Sequence, residues 1–179
     1  FFVLFFYQPR DIDRPHYLDV GYRQGVPMGG DLTLAPEGQS AGFLIAAAKD
    51  PDGANLDRIQ IVKGWQDAAG ELHEKVFDVA ASDGRVVDPK TGKLPPVGSS
   101  VDLETATYLN TIGAADLAAY WQDPDFDPEQ RAFYYVRVLE IPRPRWTTVD
   151  AVFFGIEIPD EAPRTIQDRA YTSPIWYTP

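Results

Sequence analysis

Ile59 and Ile61 alternate with Arg58 and Gln60, the period-two pattern of a half-buried strand over 58–65. Before it lies an apolar run from Phe43 to Ala48, and after it a strand-like stretch over 71–80. The turns between them are Asp50-Pro51-Asp52-Gly53 and Gln66-Asp67-Ala68-Ala69-Gly70, so the three segments read as a meander. Arg131 to Ile141 is the most strand-like segment, with Phe133, Tyr134, Tyr135, Val136, Val138 and Leu139. Asp116 to Trp121 is predicted as a strand with Leu117, Ala119 and Trp121 on one face, and Thr105 to Asn110 as another. The chain opens on an aromatic strand over 2–7 and closes on Ala170 to Tyr177, where Pro174 requires an edge or a bulge.

Two short helices are expected. One runs from Asp11 to Gly25, with Asp13 as cap and Pro15 in the first turn. The other starts at the box-like Thr147-Thr148-Val149-Asp150 and stops at Gly155. Asp83 to Ser100 has no period and reads as a surface loop. The pattern predicts a mainly β protein: an immunoglobulin-like β-sandwich of about seven or eight antiparallel strands with two short helices, forming one domain over 1–179.

Composition narrows the function classes. A net charge of −11 argues against nucleic acid and against anionic membrane surfaces. With no cysteine there is no disulfide, thiolate metal site or cysteine nucleophile. No apolar stretch is long enough to span a bilayer. The start at Phe1 rather than Met suggests an excised piece of a longer chain.

Candidate chemistry is sparse. Asp50, Asp52, Asn55 and Asp57 place hard oxygen donors close together, the ligand type calcium takes, but without the spacing of an EF-hand. Asp123, Asp125, Asp127 and Glu129 form a second acidic turn. His16 and His73 are not paired in a ligand motif and lie beside no nucleophile. Glu71, Glu74 and Asp78, with Lys75 and His73 beside them, read as a solvated sheet face. The loop Gly25 to Leu32 has the wrong strand–helix order for a phosphate cradle. Tyr120, Trp121, Tyr134, Tyr135, Trp146, Trp176 and Tyr177 are available as a stacking platform for sugars, although such residues in strands are more often core.

Five segments in order, GVPMGGDL, KDPDGANLDRIQIVKGW, HEKVFDVAASDGR, DPDFDPEQRAFYYVRVLEIPRPRW and IQDRAYTSPIWYTP, resemble the C-terminal region of the bacterial domain-of-unknown-function family 3604. Its longer members resemble PHP-type metallohydrolases. In such relatives the metal-binding barrel lies upstream, around a His-x-His motif that this chain lacks, so no catalytic residue carries over. The resemblance implies a non-catalytic C-terminal β-sandwich domain that packs on or assembles that barrel, or contacts another protein chain, in a periplasmic or extracellular protein. The opening departs from the family pattern at Phe5-Phe6-Tyr7-Gln8-Pro9. The other reading is a stand-alone calcium- or glycan-binding module, with calcium as its one cofactor.

Overall fold

The computed structural model describes residues 22–23, 25–32 and 34–179, and the backbone of 2–6. In chain order the strands are β1 (Phe2–Phe6), β2 (Val26–Pro27), β3 (Asp31–Leu32), β4 (Gly42–Ala48), β5 (Leu56–Gln66), β6 (Leu72–Ala81), β7 (Asp116–Gln122), β8 (Ala132–Glu140), β9 (Arg143–Pro144), β10 (Thr165–Ile166), β11 (Arg169–Tyr171) and β12 (Ile175–Tyr177). Helix α1 spans Trp146–Phe154. The helix expected over 11–25 lies mostly outside the described residues, of which only Tyr22 and Arg23 are helical.

Two sheets form a sandwich, one with the order β2-β1-β4-β7 and a larger one with β3-β12-β8-β5-β6 and β11 also on β8; β9 and β10 pair separately as a two-stranded sheet. The mainly β architecture read from the periodicity is the one observed. One pair departs from the antiparallel pattern, since β12 and β3 run parallel.

Three details correct the sequence reading. The stretches 43–49, 58–65 and 71–80 are not a meander, because β4 and β5 lie in opposite sheets and only β5–β6 is a hairpin. The segment after β4 crosses between sheets, and Lys49 and Leu56 donate their backbone N–H to the carbonyls of Ala115 and Ala114 just before β7. Thr105 to Asn110 is not a strand: Asp102 bridges Thr107 around a tight turn, and the Asp102 carboxylate accepts the N–H of Glu104 at 2.8 Å. Helix α1 starts two residues earlier than its box suggested, with Arg145 rather than Thr147 as N-cap and without a side-chain cap. The Thr148 hydroxyl instead donates to the Arg164 carbonyl at 2.7 Å. Gly155 ends the helix in the left-handed conformation, as expected.

The β5–β6 turn forms where its residues predicted it. Asp67 accepts backbone N–H groups of Ala69 and Glu71, each at 2.9 Å, and Gly70 supplies the positive φ of 87° that closes the turn. At the far end of the chain, β11 and β12 are one strand opposite β8 broken by a bulge at Thr172–Pro174. Pro174 has no N–H to give, and the Thr172 hydroxyl accepts the Val136 N–H at 2.9 Å.

Strand periodicity sets the core. Phe43, Ile45 and Ala47 of β4 face Ile59 and Ile61 of β5, Tyr134, Val136 and Val138 of β8, and Ile175 and Tyr177 of β12. Phe43 packs on Tyr134 across the sheets at 4.8 Å between ring centroids. Each fully buried aliphatic of this set contributes about 1.5–3 kcal/mol. The next inward position on β5 after Ile61 is Lys63, which is 3 % exposed. Its ammonium lies 2.6 Å from Asp123 Oδ2 and donates to the Asp125 carbonyl at 2.8 Å. Tyr134 donates its hydroxyl to the same Asp123 carboxylate at 2.7 Å, and Asp125 N–H reaches the other oxygen at 2.9 Å. The lysine and carboxylate are thus removed from water but held by several partners, the condition under which a buried pair is tolerated.

This arrangement predicts an asymmetry. Asp123→Ala leaves the Lys63 ammonium buried and unpaired, and should cost about 3–5 kcal/mol in a chemical denaturation experiment. The double replacement Lys63→Met with Asp123→Leu should recover most of that loss. Equal destabilisation by the single and double variants would contradict a paired charge in the core.

Candidate functional site

The outer face of the larger sheet carries the most chemistry. On β8 the even positions point into the core, so the odd ones, Phe133, Tyr135 and Arg137, point outward. They stand opposite Gly64, Val62 and Gln60 of β5, which in turn oppose Glu74, Val76 and Asp78 of β6. Gly64 is there for a reason. A Cβ at this position would lie 2.3 Å from the Phe133 ring, so the ring leans onto bare backbone.

Four rings line this face. Phe133 and Tyr135 are parallel within 8°, with centroids 6.4 Å apart. Trp176 of β12 lies 5.4 Å from Phe133, and Tyr171 of β11 lies 6.3 Å from Tyr135. Beyond Tyr135 the face turns polar: Arg137 donates to Gln60 at 2.8 Å, and Gln60 donates to Asp78 at 2.7 Å. At the Phe133–Trp176 end is a concavity of about 570 Å³, whose lining includes Gly64, Gln66, Leu72, Glu74, Arg131 and Trp176. That volume falls in the range of small-ligand sites.

The aromatic residues singled out in the sequence divide between surfaces. Tyr134 and Tyr177 are core. Trp121 packs on Phe43 and Phe77 at 5.7 and 4.8 Å. Trp146 is exposed on α1. Tyr135 and Trp176 do share a face, and Phe133 and Tyr171 were missed there. The signal was present: Phe133 and Tyr135 sit two apart in a strand, and a glycine inside the strand-like 58–65 marks a close approach.

The acidic residues are also distributed. Asp50 and Asp52 remain in the turn after β4, where Asp50 Oδ1 accepts the Asp52 N–H at 2.9 Å. The Lys49 ammonium donates to the carbonyls of Asp50, Pro51 and Gly53 at 2.9, 2.9 and 3.1 Å. Asn55 bonds the carbonyl of Ile112 at 2.9 Å. Asp57 lies inside β5, at a register shift between Leu56 and Arg58 that re-aims its side chain. Its carboxylate is buried and engaged by Arg85 at 2.5 Å, Arg58 at 3.1 Å and Gln167 at 2.9 Å. In the second acidic stretch Asp123 belongs to the core pair, Asp125 pairs with Lys75 at 2.5 Å, and Asp127 accepts the Glu129 N–H at 2.9 Å. Among the described residues no three His, Cys, Asp or Glu side chains come together as a metal site.

His73 stacks on Trp65 at 5.3 Å and pairs with Asp67 at 2.7 Å. That bond, followed by the backbone N–H of Glu71, lowers the Asp67 pKa. His16 lies outside the described residues. Gly29 N–H bonds the Pro174 carbonyl at 3.1 Å, so the glycine loop serves as a link to the last strand. No described helix is long and apolar enough to cross a membrane.

Fold and surface together define a mainly β protein, its two larger sheets forming a sandwich, with an aromatic outer face and its buried charges bound to one another. The chain belongs to the family of proteins of unknown function DUF3604, whose family model matches residues 1–179. Searches of curated proteins and of solved structures found no match.

At the edge between the sheets, a cavity of about 230 Å³ is lined in part by Lys49, Asp50, Glu140 and Asp168. Burial, then the charge of Asp168, raises Glu140 above its ordinary value of 4.5. A carboxyl raised on folding binds its proton more tightly in the folded state. Its stabilising effect is therefore present below the unfolded pKa and lost as pH rises through the folded pKa. Glu140→Gln should accordingly raise the melting temperature at pH 7 and change it little at pH 4. A gain at pH 4 with none at pH 7 would contradict this sign.

Proposed function

We propose that this chain is a non-catalytic β-sandwich module that docks through α1 onto the metal-binding barrel of a PHP-like hydrolase. The observation that carries the reading is the inverted burial of α1. Thr148 and Ala151 are its buried residues, whereas Trp146, Val149, Val152, Phe153 and Phe154 are exposed. Phe153 is 80 % exposed and Trp146 65 %, and Ile156 just beyond the helix is exposed too. A helix normally turns its large apolar side chains toward a core. One that turns them outward presents the kind of contiguous apolar patch that marks a protein contact.

The choice of occupant is supported by the resemblance of the five segments to the C-terminal region of longer DUF3604 proteins that themselves resemble PHP-type metallohydrolases. Two of the acids proposed as cation ligands, Asp50 and Asp52, stay exposed in their turn, so calcium binding is an outcome the same experiments decide.

The test is co-expression with the barrel region of a longer family member. The two should co-purify. The triple variant Trp146→Ser, Phe153→Ser, Phe154→Ser should abolish this without lowering the melting temperature of the chain, because these side chains contribute little to its own core. Co-purification that survives the triple variant, or no association at all, would remove the docking role. Calorimetric titration with calcium separates the rival: a saturable heat lost in Asp52→Ala would make this a cation-binding module instead.

A further inference from the structure

We propose that the aromatic outer face of the larger sheet is a binding site for a neutral saccharide chain. The face is distinct from α1, and the proposal holds whether or not the helix docks. Three features of the face lead to this ligand class.

The first is the platform. Phe133 and Tyr135 are parallel within 8° along β8, Gly64 gives Phe133 room to lean over the sheet, and Trp176 and Tyr171 flank the pair from the neighbouring strands. Rings held this way offer a continuous apolar surface for flat partners. Trp176 is 48 % exposed and Tyr171 55 %, with Phe133 and Tyr135 half-buried between them, so the platform is open at its flanks.

The second is charge. Nucleobases also stack on such rings, but their phosphates would approach a chain of net charge −11 with Glu74 in the lining. A neutral ligand meets no such barrier.

The third is the rim. Glu74 and Arg131 line the 570 Å³ concavity beside Phe133 and Trp176. Neither side chain has a hydrogen bond or ion pair to another described residue. An apolar protein surface seated here would strip water from both and give nothing back, a cost of several kcal/mol by usual estimates, roughly 2–7 per group. A saccharide carries C–H faces for the rings and hydroxyls around its edge for the carboxylate, the guanidinium and Gln66. The recognition pattern is therefore rings below and hydrogen-bonding groups at the side, as in sites that orient a ligand with few polar contacts.

The experiment uses the full chain and neutral hexasaccharides of glucose, xylose, mannose and N-acetylglucosamine, followed by calorimetry and tryptophan fluorescence. Saturable binding to at least one is expected, weakened roughly tenfold or more by Trp176→Ala. Glu74→Gln should weaken it too, and Trp146→Ala on the helix should leave it unchanged. Trp176 also buries half its surface against Phe133, so its replacement should lower the melting temperature but leave a cooperative transition, which separates lost contact from lost fold. No binding to any of the four overturns the proposal. So does binding that persists in Trp176→Ala, or self-association abolished by Trp176→Ala in a chain that takes up no saccharide.

Discussion

One constraint governs the molecule: the period-two alternation of β8. Its even residues, Ala132, Tyr134, Val136 and Val138, are buried in the core, and its odd residues Phe133, Tyr135 and Arg137 stand on the outer face; the alternation ends at Leu139, which is buried. A shift of one residue would exchange the two sets, putting Phe133 and Tyr135 into the core and exposing the Tyr134 hydroxyl that holds Asp123. The neighbours fix the register from both sides. Gly64 leaves the space the Phe133 ring leans into, which a Cβ there would fill, and the Thr172 hydroxyl meets the Val136 N–H where Pro174 cannot maintain the ladder. The core and the aromatic platform are thus two consequences of one register.

Buried charge is the second organising element. Lys63 and Asp123 occupy the interior near the β7–β8 connection, and Asp57 does the same at the start of β5 with Arg85, Arg58 and Gln167. Arg85 also donates to the Pro95 carbonyl at 2.9 Å, which ties the long 83–100 loop to the sheet. Removing one partner from either group leaves an uncompensated charge, so the loops they anchor have a strong preference for one position. Asp57 and Asp123, two of the acids that look like cation ligands in the sequence, are in this way used as internal fasteners.

The parts of the fold that were legible came from local signals. Ile59 and Ile61, the run at Phe133 to Leu139, the Asp67–Gly70 turn, the Pro174 bulge and the Gly155 stop each depend on a few neighbouring residues. The errors came where a long-range partner decides. Nothing local indicates that β4 pairs with β1 and β7 rather than with β5. Thr105 and Thr107 favour strands, yet the Asp102 carboxylate accepts the N–H groups of Glu104 and Thr105 while its backbone pairs with that of Thr107, closing a turn. Asp57 looked like part of an acidic turn because the register shift that re-aims it requires β8 opposite. The aromatic face was half legible: Tyr135 and Trp176 were singled out, but only strand pairing brings Trp176 beside Phe133.

Two surfaces remain for interaction, the apolar helix α1 and the ringed outer sheet face, and the second exists only if β8 keeps its register. Because the chain has no cysteine, single cysteines can report on it directly. Cysteine placed singly at 133, 134, 135, 136, 137 and 138 should react with a thiol reagent in the native protein at the odd positions and be protected at the even ones. Uniform labelling along the strand, or protection of the odd positions with reaction at the even, would contradict the account.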